Sequence, residues 1–146
     1  MLRHQLPVHS PLGLGALLSG AAAALSAESG DGAREHVRSR LRERLSAEGV
    51  LLTDSGTSAL ALALEGAAER REGPAVLPAY GCYDLATAAD AANVEVVLYD
   101  LEPDPLSPDL DSLRAALGAG ASSLVAAPLY GVPQDIDVLR DAAEEA

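Results

Sequence analysis

The chain has 146 residues, 49% of them hydrophobic, enough for one domain with its own core; with 3% aromatic residues and no Phe or Trp, that core must be built from Ala, Leu and Val. A formal net charge of −12 excludes sequence-independent nucleic-acid binding, which needs Lys and Arg set against phosphates. The single cysteine, Cys82, excludes an internal disulfide and fits a reducing, cytoplasmic setting.

Residues 1–48 read as an amino-terminal helical segment, ahead of a βα region over 49–146. Arg3, the apolar run 12–18 and the small residues 21–27 trace the outline of a signal peptide, but Pro7, Pro11, Gly13, Gly15 and Gly20 dilute it. The run is too weakly apolar to span a membrane. Gly13 and Gly15 follow no strand, so they make no dinucleotide fingerprint. Arg34, Arg38, Arg40, Arg42 and Arg44 alternate with Glu35 and Glu43 while Val37, Leu41 and Leu45 recur every fourth residue, the pattern of an amphipathic helix with a solvated basic face. His4, His9 and His36 lack the spacing of a metal site.

From residue 50 the periodicity predicts strands over 50–53, 75–78, 95–100 and 122–127, and helices over 57–69, 83–92, 109–118 and 135–145. Repeated βα units of this length predict an α/β fold of three layers, a mostly parallel sheet with helices on both faces. The punctuation agrees: Glu72-Gly73-Pro74 ends one helix, Ser107-Pro108-Asp109 starts the next with a cap and a proline in its first turn, and Gly118-Ala119-Gly120 closes it. The acidic stretch 100–105 lacks the glycine and closing glutamate of a calcium loop and reads as a solvated connection.

The junction Thr53-Asp54-Ser55-Gly56-Thr57-Ser58 passes from an apolar run into an Ala/Leu helix. The first N–H groups of a helix have no partner within it and lie at the positive end of its dipole, so they suit a phosphate. Gly56 permits close backbone approach, and Thr57 and Ser58 add hydroxyls. Asp54 or Ser55 as a plain helix cap explains the same residues.

Four segments in order, Thr53 to Leu60, Val76-Leu77-Pro78-Ala79-Tyr80-Gly81-Cys82-Tyr83, Val96-Val97-Leu98-Tyr99-Asp100 and Pro128-Leu129-Tyr130-Gly131-Val132-Pro133-Gln134-Asp135-Ile136-Asp137, resemble the DegT/DnrJ/StrS family of sugar aminotransferases over about 45–146. The resemblance implies an incomplete large domain of fold type I, with pyridoxal 5'-phosphate as cofactor. It implies that Gly56, Thr57 and Ser58 hold the cofactor phosphate. The position that stacks on the cofactor ring falls at Cys82, with Tyr83 or Tyr80 able to take over, and Tyr130 and Gly131 fall near the active site. Cys82 has no histidine placed to make it a nucleophile. The implied partners are a sugar nucleotide, an amino donor such as glutamate or glutamine, and a second subunit in a homodimer.

All 10 basic residues are arginines. The family holds its cofactor covalently through a lysine amine, a role closed to a guanidinium that stays protonated. The resemblance therefore implies an amino-terminal fragment that supplies the phosphate cup without the reactive amine; the rival is a non-catalytic module that binds a phosphorylated ligand or a partner protein. In fold type I the strand at 50–53 pairs with strands later in the chain, so without them apolar edges are left open. The isolated chain is expected to be self-associated or poorly folded, and sedimentation showing a monomer that also unfolds cooperatively on heating would contradict this.

Overall fold

A computed structural model describes residues 12–25, 30–104, 106–130 and 132–146. Residues 1–11 and 26–29, which carry parts of the signal-like outline together with His4 and His9, lie outside the described residues, as do Pro105 and Gly131. Two compact units are present, Met1–Leu51 and Leu52–Ala146.

The first unit holds α1 (Leu14–Leu25) and α2 (Asp31–Leu45), neither with a buried residue. On α2 the arginines are largely neutralised within the helix: Arg34 pairs with Asp31 at 3.1 Å, Arg40 with Glu43 at 3.2 Å, and Arg38 and Arg42 share Glu35 at 3.6 and 3.4 Å. The face is basic in composition, but most of its charge is spent locally. Among the described residues no helix is long and apolar enough to cross a membrane.

The second unit runs α3 (Gly56–Arg70), β1 (Ala75–Pro78), α4 (Asp84–Ala91), β2 (Val96–Tyr99), α5 (Leu110–Leu117), β3 (Ser123–Leu124) and α6 (Ile136–Glu144). The strands form a parallel sheet in the order β2-β1-β3, with Ala75 opposite both Val96 and Ser123. All four residues of β1 are buried, as expected of a central parallel strand covered on both faces. Its side chains alternate: Val76 joins Tyr99, Leu113, Leu117 and Leu139 on the α5/α6 face, while Ala75 and Leu77 join Leu64, Ala88 and Ala89 on the α3/α4 face. Two cores on opposite faces of one sheet give the three layers.

Residues 50–53 form no strand. The apolar pattern is there, but a strand exists only with a partner, and among the described residues the pairing runs only between β1 and its neighbours β2 and β3. The last strand is shorter than the expected 122–127, and Pro78 explains where it stops. Ser122 and Val125 donate to the carbonyls of Pro74 and Val76 at 2.9 Å each. Continuing this register brings the Pro78 nitrogen to the Val125 carbonyl, and proline has no hydrogen to give. The fully buried Tyr99 supplies the missing donor: its hydroxyl reaches the Val125 carbonyl at 3.3 Å, from the far side of β1.

Turns hold the layers at close quarters. Gly73, at φ 145°, lies against the turn at Gly120, where a methyl group would run into the Gly120 carbonyl. Asp109 accepts from the amides of Asp111 and Ser112 at the start of α5, and Asp135 caps α6 in the same way. The acidic connection after β2 closes through an antiparallel bridge between Leu101 and Pro108. On the edge strand β2, Val96 and Leu98 are left exposed on the α3/α4 face.

Replacing Tyr99 by Phe removes the donor to Val125 and leaves a partly buried carbonyl unpaired. The expected loss is about 1–3 kcal/mol, read as weaker hydrogen-exchange protection of the Val125 amide than of the Val97 amide. Equal protection in the variant and the parent chain would show that the contact does nothing. Burial raises the Tyr99 hydroxyl above its ordinary value of 10.0, so this contribution is complete below pH 10 and is lost as the pH climbs past the raised value.

Candidate active site

The connection between α3 and β1 is short, so the helix returns antiparallel to the strand. Its amino terminus at Gly56 then lies toward the end where β1 finishes and the segment Ala79-Tyr80-Gly81-Cys82-Tyr83 begins. The strands are parallel, so Asp100 after β2 and Tyr130 after β3 come to the same edge. Ligands of open α/β sheets bind outside these carboxyl ends.

At the helix start Ser55 is the cap. Its Oγ accepts from the Ser58 amide at 3.0 Å and donates to the Ser58 hydroxyl oxygen at 2.9 Å, while Thr53 Oγ1 donates to the Ser55 carbonyl at 2.8 Å. The capping reading is therefore realised, and it consumes the Ser58 amide. What stays available to an anion is the pair of amides of Gly56 and Thr57, with the hydroxyls of Thr57 and Ser58. Gly56 is exposed, and a Cβ built on it meets no atom within 4 Å, so an oxygen atom has room to approach the backbone there. The start of a 15-residue helix adds the favourable end of its dipole. A phosphate has room at these amides; a lysine imine cannot form, because the chain has no lysine.

After β1, Cys82 is exposed and its thiol donates to Asp84 Oδ2 at 3.4 Å. Tyr83 is 77% exposed and precedes α4 without a capping side chain. The hydroxyls of Tyr80 and Tyr130 meet at 3.1 Å, joining the segments that follow β1 and β3 across 50 residues of sequence. This contact was not foreseen from sequence, although both residues fall just beyond strand ends in βα units. Tyr130 sits in the left-handed region at φ 53°, uncommon for a bulky side chain. The hydrogen bond shared with Tyr80 raises the Tyr130 hydroxyl above its ordinary value of 10.0, with the Tyr80 charge and slight desolvation adding to the effect.

The parallel order β2-β1-β3, with helices on both faces and the α3 start toward the strand ends, defines part of the large domain of a fold type I transferase. The described fold matches a sphingosine-1-phosphate lyase from Burkholderia pseudomallei with a TM-score of 0.54 and 25% identity, over 62% of this chain and 23% of that one. An L-glutamine:2-deoxy-scyllo-inosose aminotransferase from Streptomyces kanamyceticus is 30% identical over 90 residues, 62% of this chain and 21% of the relative. The profile of the DegT/DnrJ/EryC1/StrS aminotransferase family matches residues 27–146, and the chain belongs to that family. It spans less than a quarter of the length of either relative, and the family implies pyridoxal phosphate as its cofactor.

The chain has four tyrosines and no Trp, so alkaline absorbance titration follows the phenols without interference. Replacing Tyr80 by Phe is expected to bring the Tyr130 transition down toward its ordinary value while the raised Tyr99 transition stays in place. An unchanged titration profile would remove the Tyr80–Tyr130 contact.

Proposed function

We propose that this chain is the phosphate-cup portion of a pyridoxal-phosphate-dependent aminotransferase acting on a polyhydroxylated ring ketone. The observation that carries the reading is the pair of free amides at Gly56 and Thr57, at the start of a long helix beside the carboxyl edge of a parallel sheet. The Streptomyces relative is named for a cyclitol ketone and for glutamine as amino donor; a keto sugar carried on a nucleotide has the same chemistry at the reacting carbon.

When bound, the cofactor supplies an electron-withdrawing ring that stabilises charge at the carbon bearing the transferred nitrogen. The residues of this chain bind and orient. Gly56 and Thr57 amides with the Thr57 and Ser58 hydroxyls hold the phosphate, and the Ser55 cap keeps the helix start rigid. The segment holding Cys82 and Tyr83 forms a side of the ring pocket. Of the two, Tyr83 has the flat surface that suits stacking, whereas the Cys82 thiol is directed to Asp84. The amine that holds the cofactor comes from sequence outside these 146 residues, and the active assembly is a homodimer. The absence of lysine also favours a second reading, a non-catalytic relative that binds a phosphorylated ligand through the same cup.

Because the chain has no lysine, pyridoxal phosphate can form an imine only at a terminal amine, and retention in equilibrium dialysis reports the cup. Pyridoxal phosphate is expected to be retained at least tenfold more strongly than pyridoxal, with inorganic phosphate competing. Gly56→Glu, which fills the open space with a carboxylate, should abolish the difference; equal retention of both compounds, or indifference to Gly56→Glu, would rule out the cup. Joining residues 1–146 to the remainder of a family enzyme separates the two readings: transamination favours the enzyme, and cofactor retention without turnover favours the module.

A further inference from the structure

We propose that Tyr80 and Tyr130 together form a two-hydroxyl site that reads neighbouring hydroxyl groups on the substrate ring, a reading that rests on the function proposed above. The two side chains belong to the connections that follow the adjacent strands β1 and β3, and their hydroxyls meet at 3.1 Å although the residues are 54% and 81% exposed. A hydrogen bond between exposed phenols competes with water and adds little to folding. Tyr130 nevertheless holds a left-handed backbone that a bulky residue avoids. A conformation that folding rewards so weakly, beside the strand ends, suits a group kept ready for a ligand.

The chemistry points to a polyol. The mutual bond uses one donor and one acceptor, so the pair keeps one O–H to give and lone pairs on both oxygens to receive. Hydroxyl groups on adjacent ring carbons stand at a spacing close to that of two hydrogen-bonded oxygens, so a vicinal diol can engage both phenols at once. An anion is disfavoured, because Asp84 and Asp100 belong to the same edge and the chain carries a net charge of −12. The raised Tyr130 hydroxyl stays protonated at neutral pH and remains a donor.

Saturation-transfer NMR with myo-inositol as probe tests this on the full chain, and association of the chain only strengthens the signal. The inositol ring protons are expected to saturate with the parent chain while those of cyclohexanol do not. Tyr80→Phe and Tyr130→Phe should each reduce the inositol signal at least threefold, and Asp90→Asn, an exposed change on α4, should leave it intact. Far-UV dichroism confirms that each variant keeps its helices. No saturation with the parent chain, an equal signal from cyclohexanol, or a signal that survives both tyrosine changes would overturn the proposal. Loss of inositol binding with pyridoxal phosphate still retained sinks this inference alone; the reverse pattern sinks the cofactor reading and leaves the tyrosine pair standing.

Discussion

Everything in the second unit depends on β1 having a paired strand on each side and a packed helix layer on each face. Four residues, Ala75 to Pro78, carry that arrangement, and none of them reaches solvent. Alternating side chains feed both cores, so one short strand determines where α3 and α4 lie on one face and where α5 and α6 lie on the other. The strand also sets the end of the sheet. Its final residue is a proline that cannot extend the ladder to β3, and Tyr99 closes the gap from β2. The sheet thus finishes where the segments bearing Tyr80, Cys82 and Tyr83 begin, so the site edge and the limit of the ladder have one cause.

That cause bears on how the anion cup works. A helix start has a small number of unpaired donors, and a cap and a ligand compete for them. Here they are divided: the Ser55 side chain takes the Ser58 amide, and the two preceding amides stay open. The division benefits both roles, because the cap fixes the dihedral angles of the first turn and so holds the open amides in place before any ligand arrives. The structural cap therefore occupies one amide of this turn, and the phosphate role proposed for it calls on different atoms.

Most of the fold can be read from residue order, because it is written locally. β1 is bracketed by Gly73-Pro74 and by the Ala79-Tyr80-Gly81 turn. Asp135 announces the helix it caps, Ser107-Pro108-Asp109 announces the start of α5 although the cap falls on Asp109 and not Ser107, and the Ala/Leu run after Ser58 has only helical uses. Where the reading failed, the missing information was relational. Residues 50–53 have the composition of a strand, but pairing belongs to two segments, and composition reports on one. The two-residue length of β3 depends on a proline about 45 residues upstream, in its partner. The capped helix start was legible as a motif; the allocation of its amides was not, since that turns on side-chain geometry within one turn. The Tyr80–Tyr130 contact is the furthest case, because sequence places each residue beyond a strand end and only the β1/β3 adjacency brings them together.

The distribution of charge explains how a lysine-free chain can still belong to an aminotransferase family. An internal amine would serve only if it reached the cofactor, and in an assembly larger than these residues it can come from elsewhere. A helix start fixed toward the strand ends, by contrast, belongs with β1 and its neighbours. Arginine serves the remaining cationic needs: on α2 it forms ion pairs one helical turn apart, which a protonated guanidinium does well and which call for no reactivity. The one carboxylate of this turn, Asp54, is exposed, so water screens it where it stands beside the positive end of the α3 dipole.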